Sequence, residues 1–227
     1  MLDDPTAPVI YRTSGEPPYP APNAPPPPDI LPRQVTLRDR STVATLLPFS
    51  MPDQVPKTLI AYLCALLNRE IEKGDTYPMI APLPLESFGP YWFANFGAVM
   101  LLGEVDSVEQ VWEMEKQGKD WAKQCLGSFY VKPNYPGRSS HICNGGFLVT
   151  DAARNRGVGR LMGEGYLEWA PKLVSRPDTA TSRRSLVLTS AGLHILGLQS
   201  GLRDKCGITS HLGRTGLQTY RQGQRCW

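Results

Sequence analysis

The chain should fold as an α/β domain behind a proline-rich arm. Three observations carry this expectation. An apolar stripe at helical spacing occupies about residues 55–73. Strand-like apolar runs recur between residues 33 and 150, and the last of them leads through a glycine-containing turn into a second helical run. Hydrophobic content of 41% and charged content of 20% over 227 residues suit one globular domain with a real core.

The elements follow in order. Residues 1–32 include PYPAPNAPPPP and few large apolar side chains, which predicts a disordered or polyproline-like arm. Arg33 to Arg40 alternates as a first strand, with Val35 and Leu37 on one face. Asp53 and Pro56 read as a helix start. Leu59, Ile60, Leu63, Leu66, Leu67 and Ile71 form the buried face, and Gly74 suits the stop. Cys64 lies beside that stripe as a packing residue. Glu86 to Phe96 carries Phe88, Tyr91, Trp92 and Phe93, which either pack the core or line a ligand site. Ala98 to Val105 reads as a strand, and the charged Val108 to Cys125 as a solvated, partly helical insertion. Gly127 to Lys132 and Ile142 to Thr150 are the next strand pair. Gly145-Gly146 should interrupt the second ladder, as a bulge or a close ligand approach does. Gly159 to Ala170 is the last helix, with Leu161, Gly165, Tyr166 and Trp169 inward and Pro171 limiting its continuation.

Charge and cysteines narrow the function. The net charge of +3 hides an uneven split: the segment from Val174 holds eight of the 24 basic residues and two of the 21 acidic ones. Residues 1–173 therefore carry 16 basic and 19 acidic side chains, a net of −3, which does not call for nucleic acid. No apolar run is long enough to span a bilayer, so no membrane partner is expected. The five cysteines (Cys64, Cys125, Cys143, Cys206, Cys226) form no Cys-x-x-Cys pair and no His/Cys cluster, and read as free thiols with no metal site. A cytoplasmic location follows, with nucleus and mitochondrion left open.

The chemistry centres on Arg154-Asn155-Arg156-Gly157-Val158-Gly159-Arg160. A strand, a glycine turn and a helix N-terminus make a generic anion site, because the first helical N–H groups lack partners and the dipole favours negative charge. The spacing equally fits an ordinary strand–helix turn. There is no Gly-Lys-Ser/Thr, and Met162 stands where a dinucleotide fingerprint needs Gly or Ala.

Arg154, Gly157 and Gly159 fit Arg/Gln-x-x-Gly-x-Gly/Ala and resemble the acetyl-coenzyme A loop of the GNAT N-acetyltransferases. GSFYVKPNYPGRSSHICNGGFLV, GYLEWAPKL and residues 76–103 are similar to the fungal L-azetidine-2-carboxylate (proline-analogue) acetyltransferases. The resemblance covers about residues 35–173. It implies a central mixed, mostly antiparallel sheet flanked by helices. Its fourth and fifth strands splay apart to admit the pantetheine arm. It also implies acetyl-CoA as co-substrate, a small-molecule amine as acceptor, direct attack in a ternary complex, and leaves a homodimer open. Phe147, Leu148 and Val149 would meet the pantetheine, and Arg154, Asn155, Arg156, Gly157, Val158, Gly159 and Arg160 the pyrophosphate. Asn144 aligns with the strand Asn of the family and would orient the acceptor; a polar residue serving the strand break fits the sequence as well. His141 competes as a base with an exposed strand-end residue, and Cys143 reads as a structural thiol. Lys132 and Arg138 carry no specific role.

The resemblance stops after Leu173, leaving a partial domain at 33–173 with its C-terminal strand and helix half missing. Residues 174–227 read as an irregular tail, apart from the short runs Leu186–Leu188 and Leu193–Leu198. Codons permitted for Gly192 to Trp227, read one nucleotide later, can spell a string containing FNLVFETN, which resembles the missing fifth strand and its acceptor-site Asn residues. Residues 174–191 then read as translated intron and 192–227 as off-frame coding sequence. Two other functions compete with the enzyme: a non-catalytic truncated interaction protein and, last, a basic-tail nucleic-acid binder.

Overall fold

The structure is a computed structural model that describes residues 22–77, 79–133, 142–174, 185–188, 209–212 and 218–221. Five strands form an antiparallel sheet: β1 (Arg33–Thr36), β2 (Val43–Phe49), β3 (Gly97–Leu102), β4 (Cys125–Tyr130) and β7 (Phe147–Val149), in the order β1-β2-β3-β4-β7. A second sheet runs β5-β6-β8-β10-β9, from β5 (Lys132–Pro133), β6 (Ile142–Gly145), β8 (Ser185–Leu188), β10 (Gln218–Arg221) and β9 (Thr209–Leu212). Among the described residues only β6 and β8 pair in parallel, so the architecture is mixed and mostly antiparallel.

Both faces of the first sheet are covered, and the period of two sorts the side chains. Ala98 and Met100 of β3 face a core shared with α5 (Val158–Val174), whereas Val99 and Leu101 face a core shared with α1 (Lys57–Lys73) and α2 (Leu85–Phe93). Helix α1 buries Leu59, Leu63, Leu66, Leu67 and Ile71. It ends where Gly74 takes φ +73° and donates its N–H to the Ile71 carbonyl at 3.0 Å. Asp53 falls in a separate 3-10 turn, and Pro56 directly precedes α1.

Several expectations change. Residues 22–32, assigned to the arm, lie against the domain: Ile30 is buried in the α5-side core, and Lys172 Nζ donates to the Asp29 carbonyl at 3.1 Å. The 108–125 insertion is more than a solvated excursion. Its helices α3 (Val108–Lys116) and α4 (Trp121–Gln124) bury Val111 and Trp121, and Trp121 Nε1 donates to Thr58 Oγ1 at 2.7 Å. Pro171 does not end α5, which continues to Val174; the burial of Trp169, Ala170 and Leu173 offsets the one lost helical hydrogen bond. The tail, expected to be irregular, contributes β8, β9 and β10, and β8 lies parallel beside β6. Among the described residues no helix follows Val174.

The glycine pair does interrupt the ladder, between β6 and β7 where the two sheets part, but without a bulge. The paired stretches on either side, Gly127↔Val149 to Phe129↔Phe147 and Lys132↔Asn144 to Pro133↔Cys143, keep one register, so residues 125–133 and 142–149 are the two arms of one hairpin. The glycines make room for rings: a Cβ on Gly145 would sit 2.4 Å from Tyr166 Cε2, and one on Gly146 2.5 Å from Tyr130 Cε1. Gly165 likewise lets α5 press on the sheet, its missing Cβ lying 2.4 Å from Leu46 Cδ2.

Candidate functional site

The hairpin register decides which backbone groups are available. Tyr130 N–H donates to the Gly146 carbonyl at 3.1 Å and Thr150 N–H to the Leu126 carbonyl at 3.1 Å. By antiparallel alternation Ser128 and Leu148 are the bonded pair between them. Phe147 and Val149 therefore turn their N–H and C=O groups to the outer edge. Strand β8 covers that edge only as far as Gly145. Beyond it, the Phe147 carbonyl accepts from the buried Tyr77 hydroxyl at 3.2 Å. Phe147, Leu148 and Val149 have their side chains in the core, so only their backbone is on offer.

The edge leads into the turn without interruption. A 3-10 turn, Asp151–Ala153, is followed by Asn155 at φ +63° and Gly157 at φ +83°, and α5 starts at Val158. The first α5 amide with a preceding carbonyl is Leu161, bonded to Gly157 O at 3.1 Å, so the amides of Val158, Gly159 and Arg160 belong to the orphan donors of a helix start. Val158 anchors the helix in the core.

Each arginine of the turn meets a carboxylate. Arg154 reaches Glu70 Oε1 at 3.0 Å and Asp151 Oδ1 at 3.2 Å. Arg156 lies 3.8 Å from Asp39 Oδ2, and its carbonyl accepts the Arg38 amide at 3.2 Å, which docks the turn on the β1–β2 connection. The Asp39 carboxyl is held well below its ordinary range by the Thr42 hydroxyl, the Thr42 and Ser41 amides and, least, Arg156. Arg160 pairs with Glu164 at 2.9 Å on the outside of α5.

Asn144 is 2% exposed and stands opposite Lys132 on one face of the hairpin, a few residues from the outer edge. Lys132 Nζ lies 3.8 Å from the Tyr91 ring centroid and 4.4 Å from that of Tyr130. Of the aromatic cluster, Phe88, Trp92 and Phe93 are core, while Tyr91 is half-buried, with its hydroxyl 3.4 Å from that of Tyr130. His141 and Arg138 lie outside the described residues. Glu70, Tyr77, Asp39 and Asp151 were not singled out in the sequence. The local signals were the i,i+3 pairs Glu70–Lys73 at the end of α1 and Asp151–Arg154 in the turn.

Cys143 is buried with its Sγ 3.4 Å from the Tyr166 hydroxyl. Burial pushes its thiol up to about 11, despite that hydrogen bond, and the Cys125 thiol up to about 12. At pH 8 only about one Cys143 in a thousand is thiolate. Iodoacetamide at pH 8, read by peptide mapping, should therefore leave both unmodified in the native chain and alkylate both after unfolding. Rapid native labelling of Cys143 would restore a nucleophile reading. Among the described residues no cluster of His, Cys, Asp and Glu suits a metal ion, and no helix is long and apolar enough to cross a membrane.

No protein-family model matches the chain. It is 38% identical to N-acetyltransferase aca1 of Schizosaccharomyces pombe, over 51% of this chain and 54% of that protein. It is 34% identical to Protein SPT10 of Saccharomyces cerevisiae, over 63% of this chain and 27% of that protein. The chain thus spans about half the length of one curated relative and about a quarter of the other. Among solved structures, the GNAT domain of S. lividans PAT superposes with a TM-score of 0.50 at 14% identity, covering 83% of this chain and 94% of that one. A GCN5-related N-acetyltransferase from Kribbella flavida gives a TM-score of 0.46 at 18% identity, covering 78% and 96%. Taken with the mixed sheet and its flanking helices, the S. lividans superposition shows that the chain has the GNAT acyltransferase fold.

Proposed function

We propose that this chain is an acetyl-CoA-dependent N-acetyltransferase acting on a small amine, with a proline analogue or another amino acid as the acceptor class. One observation carries the reading. An outward strand edge, Phe147 to Val149, runs straight into a glycine turn that opens a helix N-terminus. Such an edge suits an amide-containing arm, and such a turn suits a diphosphate. The fit is chemical as well: Arg154, Arg156 and Arg160 bring three guanidinium groups to the turn, and Val158, Gly159 and Arg160 bring orphan amides. The name of the S. pombe relative points the same way.

When bound, acetyl-CoA supplies the activated acyl group. The work of the chain is then to place the amine against the thioester, take its proton and support the oxyanion. Outward N–H groups of the 147–149 edge serve as oxyanion donors, and Asn144 orients the acceptor. A direct transfer needs no enzyme nucleophile, which agrees with a Cys143 thiol kept protonated by burial. Isothermal calorimetry with acetyl-CoA, followed by a thiol-release assay with azetidine-2-carboxylate, tests the reading; no heat and no turnover would refute it.

The tail belongs to the same proposal. We take residues 174–191 as translated intron and 192–227 as off-frame, so a frame-corrected chain should turn over faster than the chain as written. Strand β8 now pairs with β6 where the fifth strand of the family would lie. Equal turnover by the two chains would show that β8 completes the site.

A further inference from the structure

Five alternating charges tie the end of α1 to the glycine turn. Arg69 Nη1 is 3.5 Å from Asp151 Oδ2, Arg154 Nε is 3.2 Å from Asp151 Oδ1, and Arg154 Nη2 is 3.0 Å from Glu70 Oε1. Lys73 Nζ reaches the same Glu70 oxygen at 2.8 Å, and Thr76 Oγ1 donates to Oε2 at 3.3 Å. The partners differ in burial. The Asp151 side chain is 57% exposed and that of Glu70 8%. Burial raises the Glu70 carboxyl, but the Lys73 hydrogen bond, the Lys73 and Arg154 charges and Thr76 outweigh it and leave the group below its ordinary range. Glu70 is therefore a carboxylate at neutral pH, set beside the one turn arginine that matches the Arg/Gln position of the loop pattern.

We propose that Glu70 is an internal competitor for the diphosphate: it holds Arg154 in the ligand-free chain, and an anion entering the turn exchanges with it. This rests on the coenzyme reading of the turn. An arginine grips a phosphate most strongly with two N–H groups of one edge of its planar fork. In Arg154 the Nε and Nη2 edge is divided between Asp151 and Glu70, so a two-point grip through it requires a carboxylate to let go. The exposed Asp151 contact is weak. Glu70 is the stronger hold, yet it can release Arg154 without becoming an unpaired buried charge, because Lys73 and Thr76 stay on it. The exchange thus lowers affinity without forbidding binding. Glu70 acts as a positioning residue on Arg154 and needs no contact with the ligand.

The test is calorimetry on the full chain with coenzyme A, and with pantetheine as a probe that lacks the diphosphate. Glu70→Gln should tighten coenzyme A by about five- to tenfold at low salt, with a smaller gain at high salt, since the interaction is screened over about 10 Å at 0.1 M. Pantetheine affinity should not move. Arg154→Ala should weaken coenzyme A, and Glu70→Gln added to it should gain little, because the two effects share one contact. Thermal stability of Glu70→Gln should fall, so tighter binding by a less stable protein separates this role from a structural one. Should Glu70→Gln fail to fold, Glu70→Asp, which withdraws the carboxylate from Arg154 and leaves a charge near Lys73, should tighten binding by a smaller factor. Unchanged or weaker coenzyme A binding by the folded variant, with the unaltered chain still binding, overturns the proposal and leaves the coenzyme reading intact. An unaltered chain that does not bind coenzyme A takes down the coenzyme reading, and this proposal with it.

Discussion

Gly157→Glu abolishes coenzyme binding: that is the largest functional effect expected from a single substitution here. The residue sits at φ +83° immediately before α5 and its orphan amides. A carboxylate placed about 4 Å from a phosphate charge costs roughly 4 kcal/mol at a surface-like effective dielectric, which is roughly a thousandfold in affinity. The left-handed backbone adds about 1–2 kcal/mol of strain to the folded state for any side chain. Gly157→Ala separates the two contributions. Its Cβ would meet Arg38, 3.5 Å from Cβ and 4.0 Å from the amide nitrogen, which is ordinary contact, so Ala carries the backbone strain without the charge. Calorimetry should show the Ala variant binding and the Glu variant silent. Equal affinity of the Glu variant and the unaltered chain would remove the turn from the binding site.

Trp92→Ala should be the most destabilising simple truncation. Its indole stacks on Phe88 at 5.5 Å, meets Tyr130 edge-on at 4.7 Å, and donates Nε1–H to Ser128 Oγ at 2.8 Å across to β4. The side chain is 1% exposed. Buried Trp truncations cost about 3–5 kcal/mol, against a total stability of about 5–15 kcal/mol for a domain. A urea midpoint shifted by this amount, or failure to purify folded protein, is the expected result. A folded variant of unchanged midpoint and altered acceptor KM would instead place Trp92 in a ligand site, the other role open to this ring in the sequence.

Local patterns made much of this molecule legible. The α1 stripe, its Gly74 stop, the inward face of α5 and the strand–turn–helix passage all depend on residues within a few positions of one another, and the structure has each of them. Strand β2, VATLLPF, gave no comparable signal. It lies between β1 and β3 with both faces covered, so Ala44 to Leu47 are all buried and the alternation that marks a half-exposed strand is lost. The partners of the turn were hidden for a different reason. Glu70 lies 84 residues before Arg154 and Tyr77 lies 70 before Phe147, and no periodicity reports contacts at that separation. Gly145 and Gly146 mark a real break in the ladder, but not its cause. Their purpose is set by Tyr166 and Tyr130, which approach from other elements, so the sequence could mark the gap without showing what fills it.

The single register of the hairpin also fixes a length. Asn144 and Val149 lie on one arm, five residues apart, which at about 3.3 Å per residue is a rod of about 17 Å. Should the acceptor be oriented at one end and the diphosphate held at the other, as proposed above, the arm would act as a ruler for the acyl carrier. On that proposal a thioester on a short thiol, anchored by nothing at the turn, would have to find its place at Asn144 by collision alone, whereas a carrier whose tether matches the rod would arrive already measured.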